Sequence, residues 1–265
     1  MRRVLFIAFA FFVLALPAVA IWVIRGSFDM TDTIESRRAT LDTRLSEQGL
    51  RFGKPVFIRI FKETSELEVW MQKGNQWSLF QNYPICKYSG QLGPKLKQGD
   101  HQAPEGFYKV SKASLNPNSR WHLSFNLGFP NAYDRAHGRT GSFLMVHGGC
   151  SSIGCYAMTN PAVDDIYRLT EAALVGGQNH VPVHIFPFRM DEAKLRAHDT
   201  NKWHGFWRML KRGYDAFEQT GQPPEVRVAG KQYVIGEQFG FLPNMGGKET
   251  MVNKIVTGSR ITLTP

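Results

Sequence analysis

The chain has 265 residues and a formal net charge of +10, with 43% apolar and 12% aromatic residues. These proportions exclude wholesale disorder, and the length suits one sizeable domain with extensions or two small ones. The basic excess draws anionic surfaces such as phospholipid headgroups or carboxylate-bearing polymers. The basic residues are scattered, however, and no recognition helix or aromatic RNA-binding motif is present, so nucleic acid is not an expected partner.

Residues 1–25 bear on the compartment. Arg2 and Arg3 form a charged start, and an apolar run follows over residues 4–24. Ala18-Val19-Ala20 fits the small-residue rule for signal cleavage. The same run is long enough to span a bilayer uncut, with the arginines held inside. A cleaved signal peptide and an N-terminal membrane anchor both place the remainder outside the cytoplasm. Residues 26–54 read as a linker or helical stalk, with Ile34, Leu41 and Leu45 near helical spacing.

From residue 55 the pattern changes to short strands. Residues 55–61, 66–72 and 76–85 are rich in β-branched and aromatic side chains, and Gly74-Asn75 sits where a hairpin turn belongs. Residues 89–110 form a Gly/Pro/Lys-rich loop that returns to a strand at 107–110, and the next strand covers 121–127. Residues 129–140 read as a polar loop feeding a strand at 142–146. On it, Arg139 is best placed to hold a carboxylate in a two-pronged contact. Thr159 or Asn160 caps a helix with Pro161 in its first turn, continuing to residue 175. A strand follows at 181–188, whose flanking and internal histidines, His180 and His184, read as structural. Residues 191–219 form a helical stretch with an aromatic packing face, and residues 226–235 a short strand pair. The fold class expected is mainly β with α: a catalytic unit at 55–190 and a helical C-terminal extension at 191–265.

The stretch with the most chemistry is MVHGGCSSIGCYAMTN, residues 145–160. A buried strand opens there into a Gly/Ser loop, with a second short strand or a helical turn starting near Cys155. An imidazole at His147 can take the proton of the Cys155 thiol and later return it to a leaving amine. The N–H groups of Gly154 and Cys155 are candidates for an oxyanion hole. Other readings stay open: a buried structural cysteine, a zinc site using His147, Cys150 and Cys155, and a Cys150–Cys155 disulfide, ranked lowest because so short a loop strains the bond. Three cysteines are an odd number, which suggests one reactive thiol in an exported protein. Whether Cys86 pairs with Cys150 is open. No cofactor and no metal are implied.

With those residues in view, the chain resembles the L,D-transpeptidase catalytic (YkuD) domain family, and more narrowly its YafK-type branch. The segments that carry the likeness are SGQLGPKLKQGDHQAPEGFY, FPNAYDRAHGRTGSFLMVHGG and SSIGCYAMT, within residues 55–188. The resemblance implies a β-sandwich-like fold with a helix after the catalytic cysteine. It implies cysteine-dependent acyl transfer on peptidoglycan stem peptides, in the periplasm or cell envelope, in cell-wall biogenesis and cell shape. Carried over by position, Cys155 is the nucleophile and His147 the base. The Gly148 carbonyl orients the histidine, Ser152 and Gly154 shape the turn before the cysteine, and Tyr133 matches a flap tyrosine. Ile153 stands where the commoner pattern has a second histidine, and Ala157 where it has an arginine. The YafK-type branch shares both departures, and some of its members resemble hydrolases that release wall-linked lipoprotein. A non-catalytic peptidoglycan-binding envelope protein is the remaining alternative.

Overall fold

The computed structural model describes residues 39–236. The signal peptide or anchor expected at residues 1–25, the part of the expected linker or stalk before residue 39 and the tail from residue 237 lie outside the described residues. The rest of the expected stalk, residues 39–54, is part of the folded unit, with Leu41, Leu45 and Leu50 in its core.

A helix at 39–47 (α1) opens the described chain, and its Leu41 and Leu45 are buried in the core. β1 (Val56–Phe61) is buried along its whole length, as an apolar run with little alternation requires of a central strand. β2 (Glu66–Lys73) and β3 (Gln76–Pro84) follow as a hairpin whose last pair is Lys73↔Gln76. Its turn uses Gly74 at φ 61. β4 (Gly106–Val110) comes after the long loop. β9 (Val181–Phe186) does not sit at the edge of this unit. It inserts between β1, to which it is parallel, and β4, giving a five-stranded order β3-β2-β1-β9-β4.

A second sheet contains β5 (Leu115–Ser119), β6 (His122–Asn126), β7 (Met145–His147) and β8 (Tyr156–Ala157), in that order. The polar sequence LNPNS of β5 carries little strand propensity, so pairing with β6 decides its conformation. α3 (Asn160–Val175) is capped by the Thr159 hydroxyl and buries Ile166, Leu169 and Leu174. These elements enclose one core that includes Val69, Tyr108, Phe125, Val146 and Tyr156.

The other face of the five-stranded sheet is also covered. The expected single helical stretch is two helices, α4 (Glu192–Ala197) and α5 (His204–Thr220), followed by the hairpin β10 (Glu225–Ala229) and β11 (Gln232–Gly236). Phe217 of α5 lies 5.0 Å from Phe57 and 4.9 Å from Trp70, ring centre to ring centre. Close approach needs Gly213, where a Cβ would stand 2.5 Å from Cζ of Phe107. The result is an α+β fold with predominantly β content.

The loop at 129–140 contains a short helix, α2 (Ala132–Ala136). Asn131 accepts from the Asp134 amide at 2.8 Å and Asp134 accepts from the Asn131 amide at 3.1 Å, a reciprocal cap that offsets the low intrinsic stability of one helical turn.

Candidate active site

β7 and β8 run parallel, with Val146 opposite Tyr156 and His147 opposite Ala157. Paired residues in adjacent strands share a face, and successive residues alternate. Val146 and Tyr156 are both fully buried in the core. Met145, His147 and Cys155 therefore occupy the other face, with Cys155 one step before Tyr156 and opposite Met145. The Met145 amide donates to Cys155 Sγ at 3.4 Å, and the thiol donates to the Phe143 carbonyl at 3.6 Å. Cys155 is the free cysteine and is half-buried.

The loop between the two strands is held from several sides. The Gly148 amide donates to the Trp121 carbonyl at 3.0 Å, and the Gly149 amide to Asn160 Oδ1 at 3.0 Å. Cys150 is bonded to Cys86, which settles the open pairing. That bond removes Cys150 from the zinc set weighed from the sequence and from any resting bond with Cys155. Ser152 Oγ donates to the Cys155 carbonyl at 2.7 Å and accepts from the Gly154 amide at 3.2 Å. The Gly154 amide, expected to face a substrate carbonyl, is thus spent inside the turn. The Cys155 amide makes no hydrogen bond among the described residues.

His147 Nδ1 lies 2.6 Å from the Gly148 carbonyl. A carbonyl can only accept, so Nδ1 carries the proton and Nε2 of the neutral ring is left as the base. The Trp121 ring lies 5.8 Å from the imidazole, centre to centre. Burial lowers the basicity of His147, opposed by the bond to Gly148. Burial also raises the Cys155 pKa, opposed by the Met145 amide and by Lys95. Both effects favour a neutral thiol and a neutral imidazole at rest.

Lys95 belongs to the long loop before β4, which a buried cluster anchors. Lys62 Nζ donates to the carbonyls of Gln91, Gly93 and Ala103 at 2.7, 3.0 and 3.2 Å, and pairs with Glu105 at 3.1 Å. Glu105 in turn accepts from Trp207 Nε1 of α5 at 2.8 Å. Lys95 itself pairs with Asp100. A cleft of about 520 Å3 runs along this loop, with Trp203 also in its lining. Gln102 borders both the cleft and Gly154.

Two expected substrate contacts are elsewhere. Arg139 is buried, pairs with Asp134 at 2.8 Å and lies over the rings of Tyr133 and Phe206. Tyr133 is buried as well, stacked on Tyr233 at 4.4 Å. Both belong to the aromatic core under α5, because the α2 cap turns this segment inward. Trp121, Asn160 and Lys95 also border the site. Distance in the chain concealed Trp121 and Lys95, since nothing in spacing links a strand-end tryptophan or a loop lysine to a thiol. Asn160 lies five residues after Cys155 and reads from the sequence only as a helix cap, whereas its Oδ1 accepts from the Gly149 amide.

The model of the YkuD L,D-transpeptidase catalytic domain matches residues 55–185. "Putative L,D-transpeptidase YafK" of Escherichia coli K12 is 52% identical over 185 residues, covering 70% of this chain and 75% of that protein. Among solved structures, the helical cell shape determining protein Pgp2 from Campylobacter jejuni is 18% identical, with 71% of this chain and 79% of that one covered and a TM-score of 0.40. Bdellovibrio bacteriovorus Bd1075 is 25% identical over 62% of this chain and 60% of its own, with a TM-score of 0.35. On the identity to YafK and the extent of that match, this chain belongs to the L,D-transpeptidase catalytic (YkuD) domain family.

Proposed function

We propose that this protein is a cysteine acyltransferase acting on peptidoglycan stem peptides, with Cys155 as nucleophile and His147 as acid and base. The observation that carries the reading is the shared face of His147 and Cys155, with Nδ1 of the histidine fixed on the Gly148 carbonyl. His147 Nε2 takes the thiol proton as sulfur bonds to the carbonyl carbon of the third stem residue, a diamino acid. The carbonyl oxygen, now negative, is held by the Cys155 amide. Collapse breaks the carbon–nitrogen bond, and the imidazolium gives its proton to the departing amine of a D-alanine or of a lipoprotein residue. A thioester to Cys155 remains. Water or an amine then attacks it, His147 takes the attacking proton, and the thiol is restored.

Ala157 stands where the commoner family pattern has an arginine, and it is fully buried. The departure bears on the acceptor, water or amine, and leaves the first half-reaction unchanged. The reading includes hydrolytic release of wall-linked lipoprotein as one form of the second step. It places the protein in the cell envelope, outside the cytoplasm, held there or delivered by residues 1–25. The Cys86–Cys150 disulfide supports an oxidising compartment.

Incubation with defined muropeptides, free and lipoprotein-linked, followed by mass analysis, tests donor and acceptor together. Product with the native chain and none with Cys155→Ala is expected. A carbapenem mass adduct on Cys155 separates an acylating enzyme from a wall-binding protein, whose thiol would stay unmodified.

A further inference from the structure

Away from Cys155, a groove of about 960 Å3 lies between β10 and the β4–β9 end of the five-stranded sheet. Its floor is apolar, made by Phe107, Leu127 and Pro182 with Tyr233. His184 also lines it; this side chain is 2% exposed, and its Nδ1 has no hydrogen-bond partner among the described residues.

The wall formed by β10 is a strand edge. Four consecutive residues, 225–228, line the groove. Side chains of a strand alternate, so four in a row means that the edge itself faces the space. The hairpin closes with Ala229 opposite Gln232 around a two-residue turn. A closing pair of that kind exchanges both hydrogen bonds, as then do Arg227 and Glu225 with their partners on β11. Val226 and Val228 therefore direct their amides and carbonyls away from β11. Among the described residues, no strand pairs with that side of β10.

Lys109, Arg135 and Arg227 line the groove with one acid, Glu225, which lies 3.8 Å from Arg227 and leaves Lys109 and Arg135 as the unmatched cations among the described lining residues. From this we infer that the groove docks an extended acidic peptide segment of a partner protein, added as a strand to β10. Its backbone pairs with Val226 and Val228. Alternate apolar side chains cover the floor beside His184, and the carboxylates between them meet Lys109 and Arg135 and compete with Glu225 for Arg227.

The test uses the full chain and a fluorescein-labelled eight-residue peptide of alternating Glu and Val. Saturable binding is expected, weakened at least tenfold by the paired changes Lys109→Glu and Arg227→Glu, and lost when Lys replaces Glu in the peptide. Of two peptides N-methylated on every Glu or on every Val, one should bind at least tenfold more weakly, because only one set of amides faces β10. Equal binding of both to the parent level would overturn strand addition without relying on any protein variant. Absence of peptide binding would also overturn it. So would phosphatidylglycerol vesicles binding in a manner sensitive to the same charge reversals while the peptide stays free. Self-association of the chain that blocks the peptide would assign the edge to a second copy instead.

Discussion

The main-chain amide of Met145, the first residue of β7, donates at 3.4 Å to Sγ of Cys155, the residue just before β8. That contact sets the sulfur opposite Met145, two places before His147 on the same face. Two residues along a strand is about 6.6 Å of rise, a separation that side chains leaning toward each other can bridge.

The state of that pair leads to a pH prediction. Burial lowers the His147 pKa below its ordinary value and raises that of Cys155 above its own. The neutral imidazole is the working base, so kcat/KM should rise with pH through a limb centred below about 6.5, the ordinary histidine value. Further gain appears only where the thiol ionises, above its ordinary range. His147→Gln should cost about 100- to 10,000-fold in kcat/KM and abolish the acid limb. An acid limb centred above the ordinary histidine value would exclude this assignment.

Gly148 is fixed by space. A Cβ there would stand 2.6 Å from Asn160 Oδ1 and 2.9 Å from the Trp121 carbonyl, both closer than real Cβ atoms come. Gly148→Ala must move the backbone whose carbonyl orients His147. We expect kcat to fall at least tenfold while the far-ultraviolet circular dichroism is unchanged. Native kcat in this variant would show that the carbonyl has no orienting role.

The Cys86–Cys150 bond closes a sequence separation of 64 residues. The chain-entropy model gives such a loop about 4 kcal/mol of stabilisation. Replacing both cysteines by serine should lower the denaturant midpoint accordingly and loosen the turn that carries Cys155. Equilibrium unfolding in urea measures the first effect, and the rate of Cys155 alkylation in the folded protein measures the second.

Arg139 separates a core role from a substrate role. Its partner Asp134 is fully buried, so Arg139→Ala leaves an uncompensated charge and should cost about 3–5 kcal/mol. For the fraction that remains folded, KM should match the native value. An increase of tenfold or more in KM, with stability unchanged, would return Arg139 to the cleft.

Much of the site was legible in the chain because its parts are local. His147, the Gly/Ser turn, Cys155 and the Thr159 cap lie within 13 residues of one another, and strand alternation with capping chemistry fixes their order. The apolar run of β1 and the Gly74 turn were legible for the same reason, since each records its environment within a few residues.

Tertiary structure decided the rest. Arg139 read as a substrate contact because a polar loop ordinarily faces solvent, and Tyr133 because its position matches a flap tyrosine of the family. The capped α2 turn and its packing against Phe206 of α5 turn both inward. The place of β9 between β1 and β4 depends on pairing partners more than 70 residues away. The choice of Cys86 for Cys150 depends on two loops meeting, and the Lys62–Glu105 anchor on three segments converging in a dry interior. Composition and periodicity record how strongly a residue seeks burial or water; which distant surface satisfies it is settled by the assembled fold.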